Sequence, residues 1–193
     1  MNKVFDMGIM ACENVQAWNG TLKFGTGTDS SFEPAEVTDG AFVTLGGLAD
    51  DTVYAGMRDY DCYYAYAPDA TTYTADEVVV VDLAEVMGGV VGGNYYKIGT
   101  KTVGLVGQAG YPMRYRRMHK GDKFWLGAGC FTDVPVVGGY AKLTANAVEL
   151  TPADEAPASG FAVVIRASKP LAQGTTVAYA NGAFEQIYLV EVM

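Results

Sequence analysis

Apolar runs of strand length, closed by glycine or another turn residue, recur roughly every 8 to 12 residues along this chain. Ala41-Phe42-Val43-Thr44-Leu45 stands between Asp39-Gly40 and Gly46-Gly47. Val78–Val81 is four β-branched residues in succession, and Phe161-Ala162-Val163-Val164-Ile165 follows a proline-bearing acidic loop, TPADEAPASG. Such side chains are stiff at χ1 and pack well on a pleated surface. Segments 52–55, 95–99, 102–106, 175–180 and 187–192 keep the same rhythm, and residues 140–150 read as a hairpin turning at Thr144-Ala145-Asn146. The best helical signal is a capping box, Asp82 to Glu85, stopped after about a turn by Gly88-Gly89. The pattern predicts a mainly β protein, a compact β-barrel or β-sandwich with little helix. Residues 1–35 differ in grammar. A strand at 18–24, entered through Asn19-Gly20, precedes a polar loop at 25–31, so this region reads as an N-terminal arm or appended hairpin on a β-rich core domain of 36–193.

Charge is unevenly placed. Thirteen basic and twenty-two acidic residues give a formal charge of −9. Residues 114–123 hold five bases and one acid, a local +4, which leaves −13 on the rest. This basic stretch belongs to RYRRMHKGDKFWLG (residues 114–127), which reads as a β-hairpin closed by Lys120-Gly121-Asp122. Strand parity puts Arg114 and Arg116 on one face and Tyr115 and Arg117 on the other. Phe124 and Leu126 share a face that Trp125 opposes. An acidic body argues against non-specific nucleic-acid binding, which needs a broad positive surface. One basic ridge suits an acidic protein partner, or else pairs with neighbouring carboxylates. The N-terminus lacks the apolar run of a signal peptide, and no window approaches the roughly 20 apolar residues of a membrane span. Cys12, Cys62 and Cys130 are scattered, which fits small core hydrophobes in a reducing compartment.

The residues for common catalytic machinery are not gathered anywhere in the sequence. A catalytic triad needs a histidine between a carboxylate and a nucleophile. The sole histidine, His119, lies in the basic stretch, and there is no GxSxG elbow. One histidine with three distant cysteines does not make a zinc site. Gly88, Gly89, Gly92 and Gly93 are not followed by GK[ST], so they read as turn residues. Asp59 and Asp61 would share a strand face, as a carboxylate pair for glycoside hydrolysis requires, but nothing beside them marks a substrate groove. The expectation is no catalytic residue, no metal and no cofactor. Between Tyr60 and Tyr73 stand five tyrosines. Tyr64 and Tyr66 share a face and Tyr63 points the other way, so Tyr63, Tyr64 and Tyr66 are candidates for stacking on a sugar, or are half-buried sheet residues.

The order of these features resembles a small virion structural protein of tailed bacteriophages, of the kind that decorates or cements the capsid. The resemblance rests on the Asp39-Gly40-Ala41-Phe42-Val43-Thr44-Leu45 strand and the Arg116-Arg117-Met118-His119-Lys120-Gly121-Asp122-Lys123-Phe124 motif. A hairpin at 137–150 and the Phe161 to Ile165 strand complete it. It covers residues 37 to 193. It implies a non-enzymatic protein that binds the major capsid protein, made in the host cytoplasm and carried on the capsid surface of the virion. It also implies a homo-oligomer, commonly a trimer, with neither nucleic acid nor membrane as partner. Arg114, Arg116, Arg117 and Lys120 are then the expected contacts. A carbohydrate- or receptor-binding fibre module using the tyrosines is the alternative.

Overall fold

A computed structural model describes residues 19–50, 58–83, 89–91, 94–96, 106–170 and 186–193. The protein is mainly β. In chain order the strands are β1 (Asn19–Thr26), β2 (Glu33–Pro34), β3 (Val37–Thr38), β4 (Phe42–Asp50), β5 (Arg58–Tyr66), β6 (Val78–Val81), β7 (Gly89–Val91) and β8 (Asn94–Tyr96). They continue as β9 (Val106–Gly107), β10 (Met113–Arg117), β11 (Lys123–Gly127), β12 (Tyr140–Leu143), β13 (Leu150–Ala153), β14 (Ala162–Pro170) and β15 (Gln186–Val192). Two single-turn 3-10 helices, Asp29–Ser31 and Ala128–Cys130, are the helical elements among the described residues. None of these is long and apolar enough to cross a membrane.

Five strands close on themselves. The neighbours run β10-β6-β4-β5-β1, and β1 pairs back onto β10. Closure removes the open edges that an isolated sheet exposes. The pairing of β1 with β5 is parallel, with Leu22 opposite Tyr63, and the other four are antiparallel. The second layer is an open antiparallel sheet in the order β11-β15-β14-β12-β13. Of the segment expected to be an arm or appended hairpin, residues 19–34 are described, and β1 among them is a stave of the barrel. Its Leu22 and Phe24 lie in the lumen.

The valine run explains how the layers meet. Val79 and Val81 pack in the lumen with Leu22, Val43, Ala65, Met113 and Tyr115. Val78 and Val80 face the other way, with Phe42, onto Phe124, Leu126, Leu143, Val163, Ile165 and Val190 of the second sheet. Alternate side chains of a strand point to opposite faces. A strand buried on both faces therefore reads as an unbroken apolar run rather than an alternation.

The stretch at 114–127 is not a hairpin. β10 pairs with β1 and β6 inside the barrel, and β11 pairs with β15 in the second sheet. Both edges of β10 are occupied, and the apolar faces of the two strands serve different cores. Met113 and Tyr115 line the lumen, whereas Phe124 and Leu126 fill the space between layers. The Lys120-Gly121-Asp122 turn is a corner joining the layers. The Asp122 N–H bonds the His119 carbonyl at 3.0 Å, and Gly121 takes φ +91, which glycine adopts at little cost. The hairpin at 140–150 does form. Its pairing starts at Leu143 opposite Leu150, so the turn spans 144–149 and the second strand runs on into Thr151, Pro152 and Ala153. The expected short helix lies mostly outside the described residues, as do the strands expected at 52–55 and 175–180.

Candidate functional site

The four residues expected to form a basic ridge have separate fates. Arg114 and Arg116 share a face, and both turn onto one buried carboxylate. Arg114 Nη2 lies 2.7 Å and Arg116 Nε 2.6 Å from Asp82 Oδ2, and Asp82 is 1% exposed. Asp82 thus sits between two guanidiniums. A buried charge of this kind persists because it is paired. Arg117 donates to the Asp76 carbonyl at 3.0 Å. Lys120 is exposed on the corner turn. His119 is beside it, with Nδ1 3.6 Å from the exposed Asp76 carboxylate and its backbone N–H donated to Asp122 Oδ2 at 2.8 Å. These partners account for His119 as a turn residue.

A broader cationic surface lies on the outward face of the second sheet. Phe124, Ala141, Ile165 and Val190 point into the core. Parity therefore turns Lys123, Lys142, Arg166 and Glu191 outward, and a β-bulge between Ile165 and Ala167 brings Lys169 to the same face. Glu191 bonds Arg166 Nε at 2.9 Å and lies 3.5 Å from Lys123 Nζ. The hydrogen bond from Arg166, then the charges of Arg166 and Lys123, hold the Glu191 carboxyl below the usual glutamate range. Lys169 Nζ rests 4.1 Å from the ring centroid of Trp125 on the same face, a cation–π contact. Lys120, on the corner turn, lines a hollow with Tyr140, Arg166, Glu191 and Met193. Of these cations, Lys142 comes from β12 and Arg166 and Lys169 from β14, all outside the basic 114–123 stretch, so no local motif marked them. The sheet order, with the bulge in β14, is what gathers them.

The loop that enters β12 borders this face. Val134, Val136 and Val137 are 76%, 69% and 50% exposed, which is unusual for three large apolar side chains in four residues. The loop is tied down: the Gly138 N–H bonds the Ile165 carbonyl at 2.8 Å, and the Ile165 N–H bonds the Gly139 carbonyl at 2.9 Å. That tether sets the end of the valine loop against β14 at Ile165, the residue before Arg166.

The tyrosines do not form an open platform. Tyr64 is buried under Phe32, ring centroids 4.3 Å apart. Tyr63 packs on the opposite face, against the lumen cluster. Tyr66 is half-buried, and its hydroxyl donates to Asp29 Oδ1 at 2.8 Å. Asp29 Oδ2 also accepts the Gly47 N–H at 2.7 Å. A Cβ on Gly46 would come within 2.5 Å of Asp29 Oδ1, so glycine is what lets the 27–31 loop approach β4 so closely. Burial first, and then the bond to Asp29, push the Tyr66 hydroxyl well above the usual tyrosine range. Tyr73 is raised chiefly by its hydrogen bond to Asp69. Around these two pairs opens a cleft of about 720 Å³. Sequence reasoning named Tyr66 but missed Asp29, Asp69 and Asn146, which loops bring to it from three places.

Cys62 and Cys130 are buried in core clusters. The side chains of Asp59 and Asp61 lie outside the described residues. Among the described residues no three histidine, cysteine or acidic side chains gather as a metal ion would need. No protein-family model, curated protein or solved structure matches this chain.

Proposed function

We propose that this chain is a non-enzymatic virion structural protein that decorates or cements a tailed-phage capsid by lying against the major capsid protein. The observation that carries the reading is the composite face just described. Three exposed valines on a tethered loop adjoin a sheet face bearing Lys123, Lys142, Arg166 and Lys169, with Lys120 at its corner. Protein interfaces combine exposed apolar side chains with an adjoining charged, solvent-accessible surface. The sheet face is positive on a body of formal charge −9, so it selects an acidic partner and repels like bodies elsewhere. The motif order over residues 37 to 193 supports the capsid as that partner, and assembly as a homo-oligomer follows the same resemblance. Weak contacts repeated over a lattice gain strength by multivalency. Of the four contacts expected from sequence, Lys120 belongs to this face. Arg114 and Arg116 pair with Asp82, and Arg117 bonds the Asp76 carbonyl.

Co-sedimentation with capsid shells lacking this protein tests the reading. The combined substitution Lys120→Glu, Lys142→Glu and Arg166→Glu is expected to reduce loading at least tenfold while the melting midpoint holds. Raising the salt from about 0.05 M to about 0.5 M should weaken wild-type loading, because screening lengths shorten to a few ångströms. Full loading by the reversed variant would remove this face from the contact. A gene position away from any major capsid protein gene would count against the capsid itself.

A further inference from the structure

We infer that the cleft beside Tyr66 and Tyr73 is a binding site for a neutral oligosaccharide. It shares no residue with the cationic face and does not depend on the capsid reading. At about 720 Å³ it falls within the range of small-ligand sites, and it is open rather than enclosed. That shape admits part of a chain that continues into solvent.

The lining chemistry selects the ligand class. Among the described residues, the charged ones along the cleft are Asp29 and Asp69, and no lysine, arginine or histidine lines it. Phosphate, sulfate and carboxylate ligands would meet two carboxylates with no cation to offset them. The other polar groups are Thr26, Thr28, Ser30 and Thr44 hydroxyls and the Asn146 carboxamide, each able both to donate and to accept. A carboxylate offers about four lone-pair sites. Asp29 uses one on each oxygen, for Tyr66 and for Gly47, and Asp69 uses one for Tyr73. Acceptors remain on both for the hydroxyls of a ligand. Apolar surface comes from Phe24, Leu45 and the two tyrosine rings. Donor–acceptor pairs placed beside aromatic carbon match the alternating hydroxyl and C–H surface of a sugar.

The walls are fixed before any ligand arrives. Asp29 clamps its loop to Gly47 and Tyr66, and Thr28 and Ser31 close that loop with side-chain hydrogen bonds. Asn146 is held at φ 59 with its N–H bonded to the Pro68 carbonyl at 2.6 Å. A rigid site binds without the cost of ordering its loops.

The test uses the full chain on an array carrying neutral, sialylated and sulfated oligosaccharides, followed by saturation-transfer NMR with the best neutral glycan. Two variants probe the cleft with little risk to the fold. Asn146→Gly deletes the carboxamide at a backbone angle glycine accepts, and Asp69→Asn removes one charge while keeping an acceptor for Tyr73. Each is expected to weaken the neutral glycan at least tenfold at an unchanged melting midpoint. The Lys120, Lys142 and Arg166 reversal should leave glycan binding intact, which separates this site from the shell contact. No neutral glycan bound by the wild type, a preference for the sialylated or sulfated probes, or full binding by both variants would overturn the inference.

Discussion

Asp82 shows how one buried charge fixes the reach of two others. Its carboxylate is enclosed at the end of β6, and Arg114 and Arg116 on the neighbouring strand converge on it. Breaking a buried pair strands the remaining charge, at about 3 kcal/mol or more. Arg116→Ala removes one of the carboxylate's two partners and leaves Arg114 on it, so it is expected to lower stability by about 1.5–3 kcal/mol in urea denaturation, the range of a hydrogen bond to a charged group. Arg114, 38% exposed, should cost less when truncated, because water screens what remains. Equal, negligible shifts for both would show the pairing to be incidental. The sequence made the parity of these arginines legible, since Tyr115 between them had to turn inward. It did not show that Asp82, more than thirty positions earlier, awaits them, because that depends on which strand lies next to β10. Read as a run, the bases suggested either a ridge for an acidic partner or pairs with neighbouring carboxylates. In the fold, two of them are internal fasteners.

At the scale of elements, the Val78–Val81 strand was the most secure reading, and its unbroken run carried information about both of its faces. Val79 meets the lumen and Val80 the second sheet. Val79→Thr and Val80→Thr each place a hydroxyl in apolar space with nearly unchanged shape, and each is expected to cost about 1–3 kcal/mol. In a strand with one solvated face, one of the two would be almost neutral. Chemical denaturation of the two variants side by side distinguishes these cases. The stretch around Gly121 misled for the complementary reason. A glycine at positive φ between two alternating strands is the local signature of a hairpin and of a corner alike. What separates them is the occupancy of the edges of β10, and that is decided by β1 and β6, far away in the chain. The 140–150 hairpin was legible because its two strands are each other's neighbours in sequence as well as in space.

For the whole molecule, the β class, with a barrel or a sandwich as its form, followed from turn spacing and composition, while the strands that close the barrel did not. Closure rests on the β1–β10 pairing and on one parallel pairing, β1 with β5, both joining residues remote in sequence. The segment that looked like an appendage supplies the closing strand for this reason. Its departure from the surrounding grammar reflected composition, not position in the fold. Because β4 and β6 contribute to the lumen and to the interlayer core, the layers are expected to melt together. In a Trp18→Phe background, Trp125 fluorescence reports the second sheet. Its urea transition should coincide with that of the far-ultraviolet circular dichroism, as two-state unfolding requires. Two separated transitions would mean the barrel stands by itself.

The position of β15 adds a constraint in time. It lies between β11 and β14 in the second sheet, yet it is the latest described strand to leave the ribosome. The five barrel strands all precede residue 118. Chains fold from the amino end as they are made. The barrel can therefore round up early, with Phe42, Val78 and Val80 still wet on its outside. Until some seventy further residues have emerged, that greasy flank has no permanent lid. Nascent chains crowded on one messenger would meet one another there first, so slow translation past β14 favours clumping and swift completion favours solubility.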